Sequence, residues 1–511
     1  MTSAFPDSGG GPIDRASSAN RAIFLLGLVA FLGCSLFTLN ESFWLDELIT
    51  AWVVRDGLQD VVTRATTFQG QSPLYFLFAW AAKCILGYHE WSLRLPSLLW
   101  NLFTIGFVYE FFRRLKDRDF AACGAGSLAL LMAVTRSLCE ARPYALAMSC
   151  FTLSLLCLVR WARSGKPMEM LCFVCAAMGA FYAHYLFSIG FPLYGVVLVY
   201  LRRELRISRG DFAVAASTAM LLGVPALWQL YLLTGKSSLY SFSGPPGLVC
   251  WMLNVFRDQS TLALLAGVSL LLFYTRGRGA SPLERNQPFL ILGLIFWLYP
   301  GIAIAVISFI SGTPVFVPRY FVYALLGEAL VQTGLLCSIA SGTQRVMAFL
   351  SVGLFALVPY LRSPIFPEDW RTALASISSS APPASVVLLI TGQCEAKDIS
   401  WFRSSDNRDY LLSPSSYYSV GYPTLPLPYF VSEYSALDIF SEDELSVLSR
   451  AEKFFIIGPY YVLPDVAWSK AGTLKKIEWL SSNEIFQVAA VRFEVGMFVI
   501  EINRQPFRTD F

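Results

Sequence analysis

The chain has 511 residues, of which 55% are hydrophobic and only 15% charged. Soluble domains carry about 25% charged residues, so this composition excludes an ordinary soluble enzyme. A net charge of +3 also argues against a nucleic-acid partner. Apolar runs long enough to span a bilayer recur up to residue 361, which predicts an α-helical polytopic membrane protein.

In chain order, residues 1–20 are rich in Ser, Gly and Pro and read as a disordered cytoplasmic tail. The following apolar run lacks a small-residue cleavage site and reads as an uncleaved signal anchor. Spanning helices are predicted over 22–39, 92–112, 120–136, 141–160, 168–183, 186–201, 212–234, 259–275, 288–311, 320–337 and 346–361, about eleven in all. The loops 113–118 (RRLKDR), 160–166, 202–209 and the one carrying Arg276, Arg278 and Arg285 then fall on the side of the N-terminus. The opposite loops hold isolated basic residues only, so the basic side is cytoplasmic. Residues 73–87 would break this alternation if they crossed, and are read as an interfacial or re-entrant helix. Residues 45–65 show helical spacing and give a second interfacial helix in the first outer loop.

From residue 362 the composition turns polar. A helix over 367–379 and strands over 385–390, 453–458 and 484–493 predict a C-terminal α/β extracytoplasmic domain, 362–511, beyond a transmembrane catalytic domain, 21–361. An odd number of spans places that domain outside, over the cavity. There it is expected to select or retain the acceptor without performing chemistry. The eleven cysteines lie mostly in apolar segments and behave as small hydrophobes. The pair Cys172 and Cys175 sits inside a spanning run, where a redox role is not expected.

This topology, drawn from charge and length, collects the unusual polar residues on the outer face. Asp46 and Glu47 follow the first span. Glu140, Arg142 and Tyr144 (EARPY) open the fourth. His184 and Tyr185 occupy a short outer turn, and Arg319 and Tyr320 begin the tenth span. Each has a plainer reading: a helix cap for Asp46 and Glu47, an ion pair for Glu140 with Arg142, a packed histidine, an interfacial arginine. Carboxylates and arginines together at an aqueous membrane face can also perform acid–base chemistry on a phosphorylated substrate.

The motifs run W-x-D-E (Trp44, Asp46, Glu47), S-P-L-Y (Ser72, Pro73, Leu74, Tyr75), R-L-P-S (Arg94 to Ser97), E-A-R-x-Y (Glu140, Arg142, Tyr144), Y-x-H-Y (Tyr182, His184, Tyr185), P-R-Y (Pro318, Arg319, Tyr320) and D-W-R (Asp369, Trp370, Arg371). In that order they resemble the GT-C fold membrane glycosyltransferases, in particular the bacterial group similar to protein O-mannosyltransferases and the lipid A aminoarabinose transferase. The resemblance covers residues 1–375. It implies a glycosyltransferase moving a sugar from a polyprenyl-phosphate donor to an extracytoplasmic lipid, glycan or protein acceptor, at the cell (inner) membrane. By the same resemblance Asp46 is the base, with Glu47 and Glu140 as further catalytic carboxylates. Arg142, Tyr144, His184, Tyr185, Arg319, Tyr320 and Tyr75 would line the substrate site. The aminoarabinose transferases acquire a metal in this cavity. Here His89 and His184 are the only histidines, so a divalent cation is possible on mixed ligands and no metal or other cofactor is predicted. A flippase of lipid-linked glycans, or a non-catalytic relative acting in envelope assembly, are the alternatives. A flippase calls for ionisable residues at helix midpoints, which are nearly free of charge here.

Overall fold

The computed structural model describes residues 12–234, 282–311, 317–362, 368–419, 421–428, 436–459, 486–494 and 496–504. The helical part runs α1 (Pro12–Thr38), α2 (Leu45–Val54), α3 (Leu58–Thr67), α4 (Leu74–Leu86), α5 (Glu90–Leu115), α6 (Arg118–Ala133), α7 (Tyr144–Ser164), α8 (Pro167–Ala183), α9 (Pro192–Tyr200) and α10 (Arg209–Thr234). It continues with α11 (Pro282–Ser311), α12 (Leu325–Leu336) and α13 (Gly342–Arg362). Every predicted span within the described residues falls on a helix. The predicted span 259–275 lies outside them, as do Arg276 and Arg278. Five of the described helices are by themselves long and apolar enough to cross a membrane, among them α5, α7 and α11.

Three departures have physical causes. The expected disordered tail is helical from Pro12 onward, because Pro starts a helix without losing a hydrogen bond. Its end is docked: the buried Arg345 on α13 donates to Asn20 Oδ1 at 2.7 Å. The spans read as 186–201 and 320–337 both open in 3₁₀ geometry, over Tyr185–Gly190 and Pro318–Ala324, and these two segments pack on one another. The interfacial stretch 45–65 is broken into α2 and α3 at Gly57. The helix α4 has 13 residues, about 20 Å at 1.5 Å per residue, which is too short for a bilayer core of about 30 Å.

Glycines set the closest helix contacts. A Cβ on Gly27 of α1 would lie 2.1 Å from the Gly126 carbonyl of α6, and one on Gly327 of α12 would lie 2.2 Å from the Trp297 nitrogen of α11. Small residues let apolar helices approach closely where lipid offers no hydrophobic drive to associate.

Beyond α13, helix α14 (Trp370–Ser380) leads into a five-stranded sheet of order β2-β1-β3-β5-β4. Strand β1 (Ser385–Leu389) lies parallel to β2 (Thr424–Pro426) and β3 (Lys453–Pro459). Strand β5 (Met497–Arg504) runs antiparallel to both β3 and β4 (Phe486–Glu494). β1 is buried along its whole length, which is why it reads as an unbroken apolar run. The sequence reading lacks β2 and β5. β2 is three residues ending in a proline, as only an edge strand tolerates.

The two parts meet at α2. Asp409 accepts Trp52 Nε1 at 2.8 Å and both ends of the Arg55 fork, at 3.1 and 2.7 Å. The rings of Trp52, Phe68, Trp401 and Tyr410 close this seam.

Candidate active site

Asp46 lies in the first turn of α2, with its side chain 20% exposed. Arg319 Nη2 lies 3.2 Å from Asp46 Oδ2, and Arg142 Nη2 lies 3.8 Å from the same oxygen. Arg142 also donates to the Asp46 carbonyl at 3.2 Å. Residues of α2, of the turn before α7 and of the 3₁₀ segment before α12 are therefore brought together around one carboxylate. Trp44 stacks under Arg319, whose guanidinium lies 5.0 Å from its ring centre.

Glu140 lies in the turn between α6 and α7, outside both helices, and is buried. Its Oε2 has no hydrogen-bond partner among the described residues. Burial, and then the charge of Glu47, push its carboxyl up to about 8, against the opposing pull of Arg319. At neutral pH it is mainly a neutral acid. Glu140 and Arg142 form no ion pair among the described residues, because Arg142 turns to Asp46.

His184 ends α8 between the rings of Tyr144, at 5.2 Å, and Tyr320, at 5.3 Å. Burial and the charges of Arg142 and Arg319 push its imidazole down to about 3, so it is neutral, and its Nδ1 is unpartnered. Nε of Arg142, Nε of Arg319 and Nε1 of Trp44 are likewise buried without partners. Buried polar atoms in proteins are almost always bonded, so these unsatisfied donors and the unsatisfied acid oxygen beside the partly exposed Asp46 carboxylate are free to bond a polar guest. Among the described residues no three His, Cys, Asp or Glu side chains cluster as metal ligands.

Three residues that the sequence assigns to the site make their hydrogen bonds elsewhere. Glu47 is fully buried and gripped by the fully buried Arg94, at 2.7 Å from Nε and 2.5 Å from Nη2. Its Oε1 also accepts the Ala141 N–H at 2.8 Å. Both oxygens are committed, so Glu47 ties α5 and the α6–α7 turn to α2. Tyr75 is fully buried, its hydroxyl 3.2 Å from Ser97 Oγ, which in turn donates to the Glu140 carbonyl at 2.7 Å. Through Ser97 it is linked to the backbone of Glu140. Tyr185 donates its hydroxyl to Gln229 of α10. The sequence reading missed the role of Arg94. The signal was there, since a charged residue within an apolar helix needs a partner acid.

Residues 70–229 match the model of the family described as dolichyl-phosphate-mannose-protein mannosyltransferase. No curated protein matches the sequence. Among solved structures, the chain is similar to ArnT from Cupriavidus metallidurans bound to undecaprenyl phosphate. The identity is 12%, the TM-score 0.51, and 93% of this chain and 97% of that one are covered. Apo ArnT from the same organism gives 13%, 0.41, 93% and 97%. The apo oligosaccharyltransferase of Archaeoglobus fulgidus gives 12%, 0.42, 88% and 71%. The latter two superpose too loosely to carry an argument. The first shows the fold: this chain has an ArnT-like fold of the GT-C type.

Proposed function

We propose that the protein is an inverting glycosyltransferase using a polyprenyl-phosphate sugar, with Asp46 as the base. The observation that carries this is the half-buried Asp46 carboxylate held between Arg319 and Arg142 on a GT-C fold. The acceptor hydroxyl attacks the anomeric carbon in line, its proton passing to Asp46. The bond from that carbon to the phosphate oxygen breaks, and the lipid phosphate leaves with the electron pair. Arginine suits this leaving group, because its planar fork matches phosphate oxygens and its charge meets the charge that develops. A phosphate competes with Asp46 for the same two guanidiniums, which couples donor binding to release of the base. Glu140, neutral and with a free oxygen, can offer a hydrogen bond to a sugar hydroxyl or to the phosphate.

The ArnT structure that shares the fold carries undecaprenyl phosphate, and the matching family is named for a lipid-phosphate mannose donor, which supports this donor class. We place the site and the C-terminal domain on the extracytoplasmic side of the cell (inner) membrane, on the charge asymmetry of the loops. The test is turnover of a panel of undecaprenyl-phosphate monosaccharides by the purified protein in nanodiscs. Asp46→Asn is expected to lower it by about 10²–10⁴, the usual contribution of a general base, with unchanged folded yield. Wild-type turnover by that variant would refute the assignment.

A further inference from the structure

Asp46 is only as well placed as the loop that leads to it. That loop, between α1 and α2, is pinned from both sides. From the bundle side, Arg94 donates to the carbonyls of Thr38 and Glu41, both at 2.8 Å, and of Ser42 at 3.2 Å. From the other side comes the chain that follows α13. Arg371 donates to the Asn40 carbonyl at 2.9 Å, and its own N–H is 3.1 Å from Ser42 Oγ. Tyr418 accepts the Phe43 N–H at 2.8 Å. Glu368 accepts the Leu45 N–H at 3.0 Å.

The last contact matters most for the chemistry. The first N–H groups of a helix have no intrahelical partner and are normally capped by a nearby Ser, Thr, Asp or Asn. The residue at the cap of α2 is Trp44, which supplies no such bond. Glu368 caps the helix from 323 positions away. It is 1% exposed, and the Trp370 indole donates to the same oxygen at 2.6 Å, which orients the carboxylate. Asp46 is the next residue along the turn thus fixed.

We propose that Glu368 is a positioning residue for the transfer reaction. By holding the Leu45 N–H it sets the first turn of α2, and so the direction in which Asp46 presents its carboxylate to Arg142 and Arg319. The C-terminal part of the chain thereby acts on the chemistry through α2, beyond any contact with the acceptor. This rests on reading Asp46 as the base.

The experiment pairs kinetics with amide hydrogen exchange over residues 42–54 in nanodiscs. Glu368→Ala is expected to lower kcat by about tenfold to a hundredfold on the undecaprenyl-phosphate monosaccharide that wild type uses best, as small displacements of a catalytic group do. Binding of undecaprenyl phosphate itself stays within about twofold, and exchange in the first turn of α2 accelerates. Glu368→Gln keeps an acceptor oxygen and restores most of the kcat. An unchanged kcat in folded Glu368→Ala overturns the inference, as does a loss of kcat with unaltered exchange in α2. If the alanine variant does not fold, Trp370→Phe takes its place. It frees the carboxylate to turn and lowers kcat without weakening lipid binding, and an unchanged kcat there overturns the inference equally. Failure of the base assignment is separable, because it would show as wild-type turnover by Asp46→Asn whatever the exchange rates say.

Discussion

Adjacent carboxylates in one motif meet opposite fates. Asp46 turns to Arg319 and Arg142 and Glu47, one residue on, turns to Arg94 of α5, as neighbours on a helix point in different directions. The pair predicts two contrasting variants. Glu47→Ala removes the carboxylate that faces the buried Arg94, a defect worth about 3–5 kcal/mol in comparable buried pairs. It is expected to cut the folded yield and thermal midpoint sharply, whereas Asp46→Asn leaves both near wild type. Thermal unfolding in detergent distinguishes them. Glu140 gives a pH prediction. Its carboxyl titrates near 4.5 when unfolded and at about 8 in the fold, raised by burial first. Between those values the folded chain holds a proton that the unfolded chain has released. The contribution to stability is therefore full below pH 4.5 and is lost as pH rises through about 8. Measured against Glu140→Gln, the wild-type thermal midpoint should fall from pH 5 to pH 9, while that of the variant lacks this slope. The residue types at the site were legible in the sequence, because charge is conspicuous among apolar runs. Which carboxylate was buried was not, since that depends on Arg94 reaching across from another helix.

Among the elements, the long helices were legible because each is an apolar run of the right length, and the short ones were less so. The two segments read as the first turns of spans, yet both are 3₁₀, one following His184 and the other carrying Arg319, and they pack on one another. Nothing in apolar periodicity separates 3₁₀ from α over so few residues. The glycine contact of α1 with α6 was equally hidden, since a glycine in an apolar run is silent about its neighbour. It supports a sharp comparison. Gly126→Val places a side chain where the Ile23 carbonyl would stand 2.6 Å from its Cβ, whereas Gly33, on the same α1, has open space around it. Gly126→Val is expected to abolish recovery of monodisperse protein and Gly33→Val to leave it unchanged, as size-exclusion chromatography of the solubilised chains would show.

At the scale of the whole molecule, charge asymmetry predicts which side each part occupies. Cysteines introduced for Arg118 and for Ser400, both exposed, are expected to react with a membrane-impermeant thiol reagent from opposite sides. Labelling of both from outside would defeat the assigned topology. The division into a bundle and a polar domain was readable from composition. The dependence of one on the other was not. The sequence supported a domain that handles only the acceptor, whereas the contacts of Asp409, Glu368, Arg371 and Tyr418 make it part of the frame around α2. Removal of everything after residue 362 is accordingly expected to disable turnover as well as acceptor use.

The distant cap of α2 also imposes an order on biosynthesis. The Leu45 amide is translated 323 residues before the carboxylate that satisfies it. At about 5–20 residues per second, that separation is an interval of roughly 15–65 s. On the topology proposed above, the first outer loop waits through that interval with its helix start unsealed, and only synthesis of the last third of the chain closes it. Chains stalled before residue 368 should therefore be cut by an extracytoplasmic protease within the 40–45 loop, and chains released at full length should not.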